Sequence, residues 1–302
     1  MNFLSDVSII IPAHNEERFL SGLLDSLQVF NIPMSSVTVV DVCSIDRTSK
    51  IALDYRVNLI SLSRKATPSQ ARNIGANNTQ GNTLIFLDAD VLVTKDWFDF
   101  LSEIDISNSS IYGDTYHLSI EPCWIENIWF TEMLLKKKNY INGGNLVLKR
   151  SLFRSLNGFD ENLETGEDVD FCRRTRELGN EVELRSELKV HHEGNPKSIK
   201  AFVLREKWHG KGDLVNLKSF LSSPVALGSV VFLCLHIVSL IVFFIYPTAG
   251  ISSLLVIPIL CVTIVMLKFN PKTPRILGLT LICYFYLFGR AASLLVRLRI
   301  IQ

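Results

Sequence analysis

From Pro224 to Gln302 the chain has no Asp and no Glu, although Lys268, Lys272, Arg275, Arg290, Arg297 and Arg299 are present. All 30 acidic residues lie upstream with 25 of the 31 basic ones, so the first 223 residues carry a net charge of about −5. A stretch with that balance has no basic footprint and excludes a nucleic-acid partner. Paired cysteines are also missing. The six (Cys43, Cys123, Cys172, Cys234, Cys261 and Cys283) are scattered without any Cys-x-x-Cys, and three lie in the apolar tail. Neither a zinc site nor a disulfide framework is indicated, in keeping with a reducing cytosolic compartment. No signal peptide is expected, because Met1-Asn2-Phe3-Leu4-Ser5-Asp6 leads directly into a strand-like run. A glycine-rich phosphate loop with Arg and Lys near the N-terminus is absent too. Pro12-Ala13-His14-Asn15-Glu16 stands there instead, which argues against a sugar-phosphate nucleotidyltransferase. Internal repeats and low-complexity linkers are not found.

What the tail has is apolar length. Residues 225–246 contain no charge, 251–267 contain none, and 276–296 contain only Arg290. The first is long enough to cross a bilayer as a helix, the second is at the short end, and three in succession argue against buried helices of a soluble protein. The expected division is a domain over 1–218 and a membrane region over 219–302. Lys211 and Lys218 precede the first span, and Lys268, Lys272 and Arg275 follow the second, while the link at Tyr246-Pro247-Thr248-Ala249-Gly250 is uncharged. The positive-inside rule then places the N-terminal domain in the cytoplasm of a multi-pass protein of the cell (inner) membrane. A third crossing puts Arg297 and Arg299 outside, so 276–296 either crosses or lies in the interface with its arginines snorkelling.

The first half alternates strands and helices. Val7–Ile11 is an apolar run closed by Pro12, and Glu16–Gln28 has helical spacing at Phe19, Leu20, Leu23, Leu24 and Leu27. Val37–Val40 is a strand ending at Asp41, with a helix from near Arg47 to Asp54 capped by Ser44 or Asp46. Val57–Ile60, a helix over Pro68–Asn77 and a strand over Thr83–Leu87 follow. This alternation predicts an α/β domain with a parallel sheet and right-handed crossovers, with the polar clusters after each strand on one edge. Farther on, Ile111–Leu118 reads as a strand, Trp124–Leu135 as a helix ending in Lys136-Lys137-Lys138, Leu146–Leu148 and Val182–Leu184 as strands, and Glu167–Leu178 as a helix.

Several residues have a chemical reading of their own. Asp88-Ala89-Asp90 ends a buried strand at the edge where open α/β sheets bind ligands. Two hard oxygen ligands beside an open position suit Mg²⁺ or Mn²⁺ shared with substrate phosphates. Taken alone, the pair reads equally well as a solvated turn. Pro12 to Glu16 forms a loop whose backbone, with Asn15, can hold a nucleotide. Asp41 can accept a hydrogen bond from a base edge. Arg72 can bridge a carboxylate and a diphosphate, or form an ordinary ion pair. Glu167 and Asp168 stand where a helix N-terminus favours anions, which equally describes capping. Asn142-Gly143-Gly144-Asn145 permits close backbone approach or is merely a turn. Trp208, next to His209 and Lys211, closes over a diphosphate or anchors at the membrane interface.

Five blocks occur in an order that resembles the family 2 glycosyltransferases, inverting enzymes of the GT-A fold, over roughly the first 210 residues. They are Val7 to Glu16; Val39-Val40-Asp41 through Ser44, Asp46 and Thr48; Ala71-Arg72-Asn73-Ile74-Gly75; Leu87-Asp88-Ala89-Asp90; and Gly166-Glu167-Asp168 to Arg174. The resemblance, to a membrane-anchored bacterial-type member, implies a Rossmann-like nucleotide-diphospho-sugar transferase domain followed by transmembrane helices. It implies donor binding by Pro12, Ala13, Asn15, Glu16, Asp41, Arg72, Asp88 and Ala89, with Asp41 on uracil. Asp90 is then the direct ligand of Mn²⁺ or Mg²⁺, Asp88 contacts ribose or a metal-bound water, and His191 or His192 completes the metal site. Asp168, with Glu167 beside it, becomes the candidate catalytic base. Gly144, Asn145, Trp208 and Lys211 are candidate contacts for the acceptor or diphosphate. The family wording Asp-Asp-Gly-Ser is replaced here by Asp41-Val42-Cys43-Ser44, which puts the loop conformation and the nucleotide in question.

The expected function is transfer of a sugar from a nucleotide-diphospho-sugar, UDP-linked by the resemblance, to a hydroxyl of a membrane-associated glycan or glycolipid, as in polysaccharide biosynthesis. The alternatives are a polyprenyl-phosphate glycosyltransferase and a decayed membrane scaffold. A base at Asp168 suits a hydroxyl acceptor, whereas a lipid phosphate is already anionic. Intact Asp88, Asp90 and Asp168 argue against decay.

Overall fold

The computed structural model describes residues 6–136, 138–163, 165–214, 217–271 and 275–300, with side chains at all of these except 218 and 295–300. The leader expectation at Met1–Ser5 and the charge readings at Lys137, Lys218, Lys272, Arg297 and Arg299 fall outside them. The chain packs as two compact units, one of residues 1–120 and 137–195, the other of 121–136 and 196–302.

The first unit is built on strands β1 (Val7–Ala13), β2 (Val37–Val42), β3 (Asn58–Leu62), β4 (Thr83–Leu87), β5 (Val91–Val93), β6 (Ser110–Gly113), β7 (Asn145–Lys149), β8 (Glu181–Leu184) and β9 (Val190–His192). Seven of them form one sheet in the order β3-β2-β1-β4-β7-β6-β8, and β5 pairs with β9 in a separate ribbon. The apolar runs are continuous because both faces are covered. On β1 and β4, Ile9, Ile11, Ile85 and Leu87 enter one core with Leu20, Leu23, Leu24, Leu27 and Trp97. Their sequence neighbours Ile10, Leu84 and Phe86 enter the opposite core with Ala71, Phe153, Phe159 and Phe171. That division follows the two-residue period of a strand.

The sheet is mixed rather than parallel throughout. Strands β1 to β4 run parallel, but β7 is antiparallel to both β4 and β6. Side-chain patterning carries no information on this point, since a strand buried on both faces reads the same in either direction. Strand β1 also continues through Pro12, which pairs with Val40, whereas its pairing to β4 stops at Ile10. The missing N–H of Pro12 therefore costs nothing on the side where no partner remains.

Helices α1 (Leu20–Val29), α2 (Thr48–Asp54), α3 (Pro68–Asn77), α4 (Lys95–Glu103), α6 (Arg150–Ser155) and α7 (Glu167–Glu177) cover this sheet. The bounds of α3 and β4 agree with the expectation to the residue. In α3 a Thr67–Gln70 capping box and Pro68 in the first turn mark the start. Helix α1 begins four residues later than expected, because the Glu16 and Glu17 N–H groups are held by Thr48 Oγ1 (2.8 Å) and Asp46 Oδ2 (3.1 Å). Strand β6 ends at Gly113, well before Leu118, as the chain turns so that His117 pairs with the β9 backbone.

The second unit contains a π-helical turn over Glu126–Phe130 and α5 (Thr131–Leu134) where a single helix was expected. It continues with α8 (Ile199–His209), α9 (Leu217–Ser222), α10 (Pro224–Ile245), α11 (Pro247–Ser253), α12 (Val256–Phe269) and α13 (Ile276–Ile300). Three helical stretches, Pro224–Ile245, Pro247–Phe269 and Ile276–Leu294, are long and apolar enough to cross a membrane. The third differs, being 44% buried within the protein against 17% and 22% for the others. Its Arg290 is paired with Glu206 (3.0 Å) and Asp213 (2.9 Å), so the charge is neutralised by protein rather than lipid.

The C-terminal end of α3 is fastened by Arg150, whose guanidinium donates to Gly81 O (2.7 Å), Ala76 O and Thr79 Oγ1 (3.0 Å). Arg150→Met leaves these acceptors without a donor, and a cost of about 2–3 kcal/mol is expected. A lowered denaturation midpoint of the full chain in detergent checks this.

Candidate functional site

The loops beyond β1 and β2 are stitched together by side chains that the sequence marks only as polar. Asn15 N donates to Ser44 Oγ (2.8 Å) and Asn15 Oδ1 accepts from Ile45 N (2.9 Å). His14 Nδ1 donates to Val42 O (2.6 Å), and its Nε2 accepts from Asn15 Nδ2 (3.1 Å). Cys43, at the position of the family glycine, has φ of 52°. The left-handed turn is thus kept although a side chain costs about 1–2 kcal/mol there. Asp41 is buried, and Ser44 N donates to its Oδ1 (3.1 Å) and Ser49 Oγ to its Oδ2, so the carboxylate braces its own loop. Pro12 is half-buried, while Ala13 and Ala89 are buried, leaving their backbone as what they can offer.

Arg72 is 3% exposed and donates from Nη2 to Asp88 Oδ1 (2.7 Å) and from Nη1 to Glu167 Oε1 (2.9 Å). Its guanidinium also lies over the Phe159 ring, 5.4 Å from the centroid. The planar fork thereby ties the end of β4 to the start of α7. The other oxygen of Asp88 accepts from the Tyr116 hydroxyl (2.5 Å), which in turn accepts from Gly144 N (3.1 Å). A Cβ on Gly144 would collide with the Asp88 carboxylate, so glycine is required for this approach.

Asp90 is handled differently. The pairing of β5 with β9 sets Val91 opposite His192, and Asp90 Oδ2 faces His192 Nε2 at 3.2 Å. Gly194 leaves the space that Asp90 occupies, since any Cβ there would overlap its carboxylate. Tyr116 stacks on His192 with centroids 4.6 Å apart, so one side chain touches both acids' surroundings. His191 points elsewhere, donating from Nδ1 to Leu118 O (2.8 Å). Burial, and then the charges of Asp90, Asp88 and Asp46, push the Glu16 carboxyl up to about 8. The carboxylates here generate a negative potential.

Asp168 accepts from Asn142 Nδ2 (3.3 Å), and Asn142 Oδ1 accepts from Tyr116 N (3.1 Å). Burial foremost, and the adjacent Glu167 charge, push Asp168 up to about 6. Asn145, a candidate contact in the sequence, is fully buried: it donates to Leu188 O (2.6 Å) and accepts from Trp97 Nε1 (3.3 Å). Its side chain is part of the scaffold. Trp208 and Lys211 belong to the second unit, where Trp208 is exposed at the end of α8.

Residues 8–120 match the model of glycosyl transferase family 2. Over this stretch the chain is similar to the family 2 glycosyltransferases. The chain is similar to the pre-mycofactocin glycosyltransferase of Mycobacterium tuberculosis, 23% identical over 225 residues that cover 68% of this chain and 46% of that protein. It is also similar to the poly(ribitol-phosphate) β-N-acetylglucosaminyltransferase TarS of Staphylococcus aureus, 28% identical over 120 residues, 37% of this chain and 20% of that one. The chain thus spans less than half the length of these relatives. Among solved structures, the mannosyltransferase PcManGT of Pyrobaculum calidifontis, in complex with GDP-Man and Mn²⁺, is similar with a TM-score of 0.60 at 15% identity. That match covers 96% of this chain and 87% of that chain, and the shared architecture is the GT-A fold.

Around the two acids, the residues that sequence reasoning missed are Tyr116 and Gly194. Neither lies in a motif, and only the β5–β9 pairing and the turn after β6 bring them to the acids. Tyr116→Phe keeps the stack on His192 but removes the hydroxyl from Asp88 and Gly144. A loss of about 1.5–3 kcal/mol in stability is expected, measurable by equilibrium denaturation of the full chain.

Proposed function

We propose that the protein is an inverting, metal-dependent glycosyltransferase that moves a sugar from a nucleotide-diphospho-sugar to a hydroxyl of a membrane-associated glycan or glycolipid. The observation that carries this reading is Arg72, which joins Asp88 and Glu167 at 2.7 and 2.9 Å and so sets Asp168 on the same edge as the Asp88–Asp90 pair. In this reading residues 1–218 are the catalytic domain, facing the cytoplasm, and 219–302 anchor it in the cell (inner) membrane.

Among the described residues no three His, Cys, Asp or Glu side chains form a metal-ligating group. The donor set nonetheless fits a divalent cation held by few protein ligands. One carboxylate and one imidazole, Asp90 and His192, stand beside Glu16, whose carboxyl is pushed up to about 8 by burial first and then by the charges of Asp90, Asp88 and Asp46. Mg²⁺ and Mn²⁺ in nucleotide sites are characteristically held by one or two side chains plus phosphate oxygens. Asp90 and His192 would hold the ion, which when bound would offset charge on the departing nucleoside diphosphate. With both its oxygens in hydrogen bonds to Arg72 and Tyr116, Asp88 is assigned to orienting the donor.

Asp168 takes the proton of the acceptor hydroxyl as that oxygen attacks the anomeric carbon from the face opposite the leaving group. Its value of about 6 lets it stay ionised at neutral pH yet remain basic enough to accept a proton. Glu167, bonded to Arg72, positions that guanidinium and is not the base.

Calorimetric titration of the full chain in detergent with UDP, and with GDP as in the fold relative, each with and without Mn²⁺, tests the class. Metal-dependent binding of one nucleotide is expected, and binding of neither would overturn the proposal. Donor hydrolysis across a panel of nucleotide sugars then identifies the sugar. Asp168→Asn is expected to lower turnover by about 10²–10⁴-fold while nucleotide binding is preserved. In the native chain kcat/KM should fall with unit slope as the pH drops through about 6, because protonated Asp168 cannot act as base. A flat acid limb would remove Asp168 from that role.

A further inference from the structure

The second unit carries more positive charge than its own carboxylates can match. Over residues 121–136 and 196–302 there are thirteen Lys and Arg against five acidic residues. Four of those acids are already committed. Glu126 pairs with Lys197 (2.6 Å), Glu132 with Arg275 (3.3 Å), Glu206 with Arg290 (3.0 Å) and Arg205 (3.3 Å), and Asp213 with Arg290 (2.9 Å). Among the described residues Lys136 and Lys268 have no carboxylate within ion-pair distance.

Both ammonium groups instead rest on aromatic rings. Lys268 Nζ lies 4.1 Å from the centroid of Tyr286, 5.0 Å from Trp129 and 5.5 Å from Phe269. Lys136 Nζ lies 5.3 Å from the same Phe269 ring. The rings brace one another, Trp129 standing 5.0 Å from both Phe269 and Tyr286. Ring quadrupoles attract a cation but supply no counter-charge, and two ammonium groups sharing one ring repel each other. An anion with several oxygens would relieve both.

The position narrows the anion. Lys268 and Phe269 close the apolar stretch Pro247–Phe269, whose end lies at the level of lipid phosphates if it crosses a bilayer. The C-terminal dipole of α12 favours the Lys268 charge rather than an anion, so side chains and not backbone must do the holding. Lysine suits a phosphate as a compact charge with three donors. Lys136 is exposed and Lys268 half-buried, so the pair is reachable.

We propose that Lys136 and Lys268, backed by Trp129, Phe269 and Tyr286, form a binding site for the phosphate group of a membrane lipid. The site rests on the membrane reading above. Its ligand is either a bilayer phospholipid or the phosphate of a lipid-linked acceptor, which share this chemistry.

Native mass spectrometry of the full chain in a neutral detergent tests the site, with dioleoyl phosphatidylglycerol, undecaprenyl phosphate and phosphate-free dioleoylglycerol added in separate titrations. At least one phosphate-bearing lipid should be retained fivefold or more over dioleoylglycerol, and whichever of the two is retained better names the source. Lys268→Gln and Lys136→Gln should each lose most of that excess, Lys268→Arg should keep it, and the exposed Lys200→Gln should leave it unchanged. Equal retention of all three lipids, or Gln variants indistinguishable from the native chain at matched thermal stability, overturns the site. Carbonate extraction of membranes containing the chain separates the premises. A chain that stays in the pellet without phosphate preference refutes the site alone, and a chain that washes off refutes the membrane reading and the site together.

Discussion

A buried guanidinium is the constraint on which the first unit depends. Arg72 sits on α3 with almost no exposed surface, and an unpaired charge there would cost several kcal/mol. It is satisfied by two carboxylates remote in sequence, Asp88 at the end of β4 and Glu167 at the start of α7. Neither can leave without stranding the cation, so strand end and helix start are locked to one geometry. Arg150 repeats the device at the far end of α3, where three acceptors fasten the helix to the turn that leads into β4.

That lock separates two acids that are neighbours in sequence. Asp88 has both oxygens engaged by protein donors, Arg72 and Tyr116, while Asp90 faces an imidazole. Two glycines make the difference sterically possible, Gly144 beside Asp88 and Gly194 beside Asp90. The proposed division of labour, orientation by one acid and metal holding by the other, follows from these partners. It does not follow from any difference between the two residues themselves.

The second unit solves another problem, that of charge among apolar helices. Arg290 is matched by Glu206 and Asp213 within the unit, and Glu132 takes Arg275. Lys268 is housed among rings rather than carboxylates. Full pairing makes a charge structural, whereas a ring-lined cation still has donors to offer, and this contrast sets the Lys136–Lys268 site apart from its surroundings.

Local chemistry by itself determined α3 and β4 to the residue, through a capping box, a proline in the first turn and an unbroken apolar run. It also marked the three apolar helices, whereas the candidate roles of Arg72, Asp88, Asp90 and Asp168 rested on the order of five motifs that resembles the family 2 glycosyltransferases. Such features are written in consecutive residues or fixed motifs. Strand direction in the second half, the loop-bracing of Asp41 and the burial of Asn145 were decided only by tertiary structure, because each turns on partners far along the chain. The same holds for which of His191 and His192 faces Asp90. Two adjacent histidines are equivalent in sequence, and only the register of β5 on β9, with Val91 opposite His192, turns one of them toward Asp90.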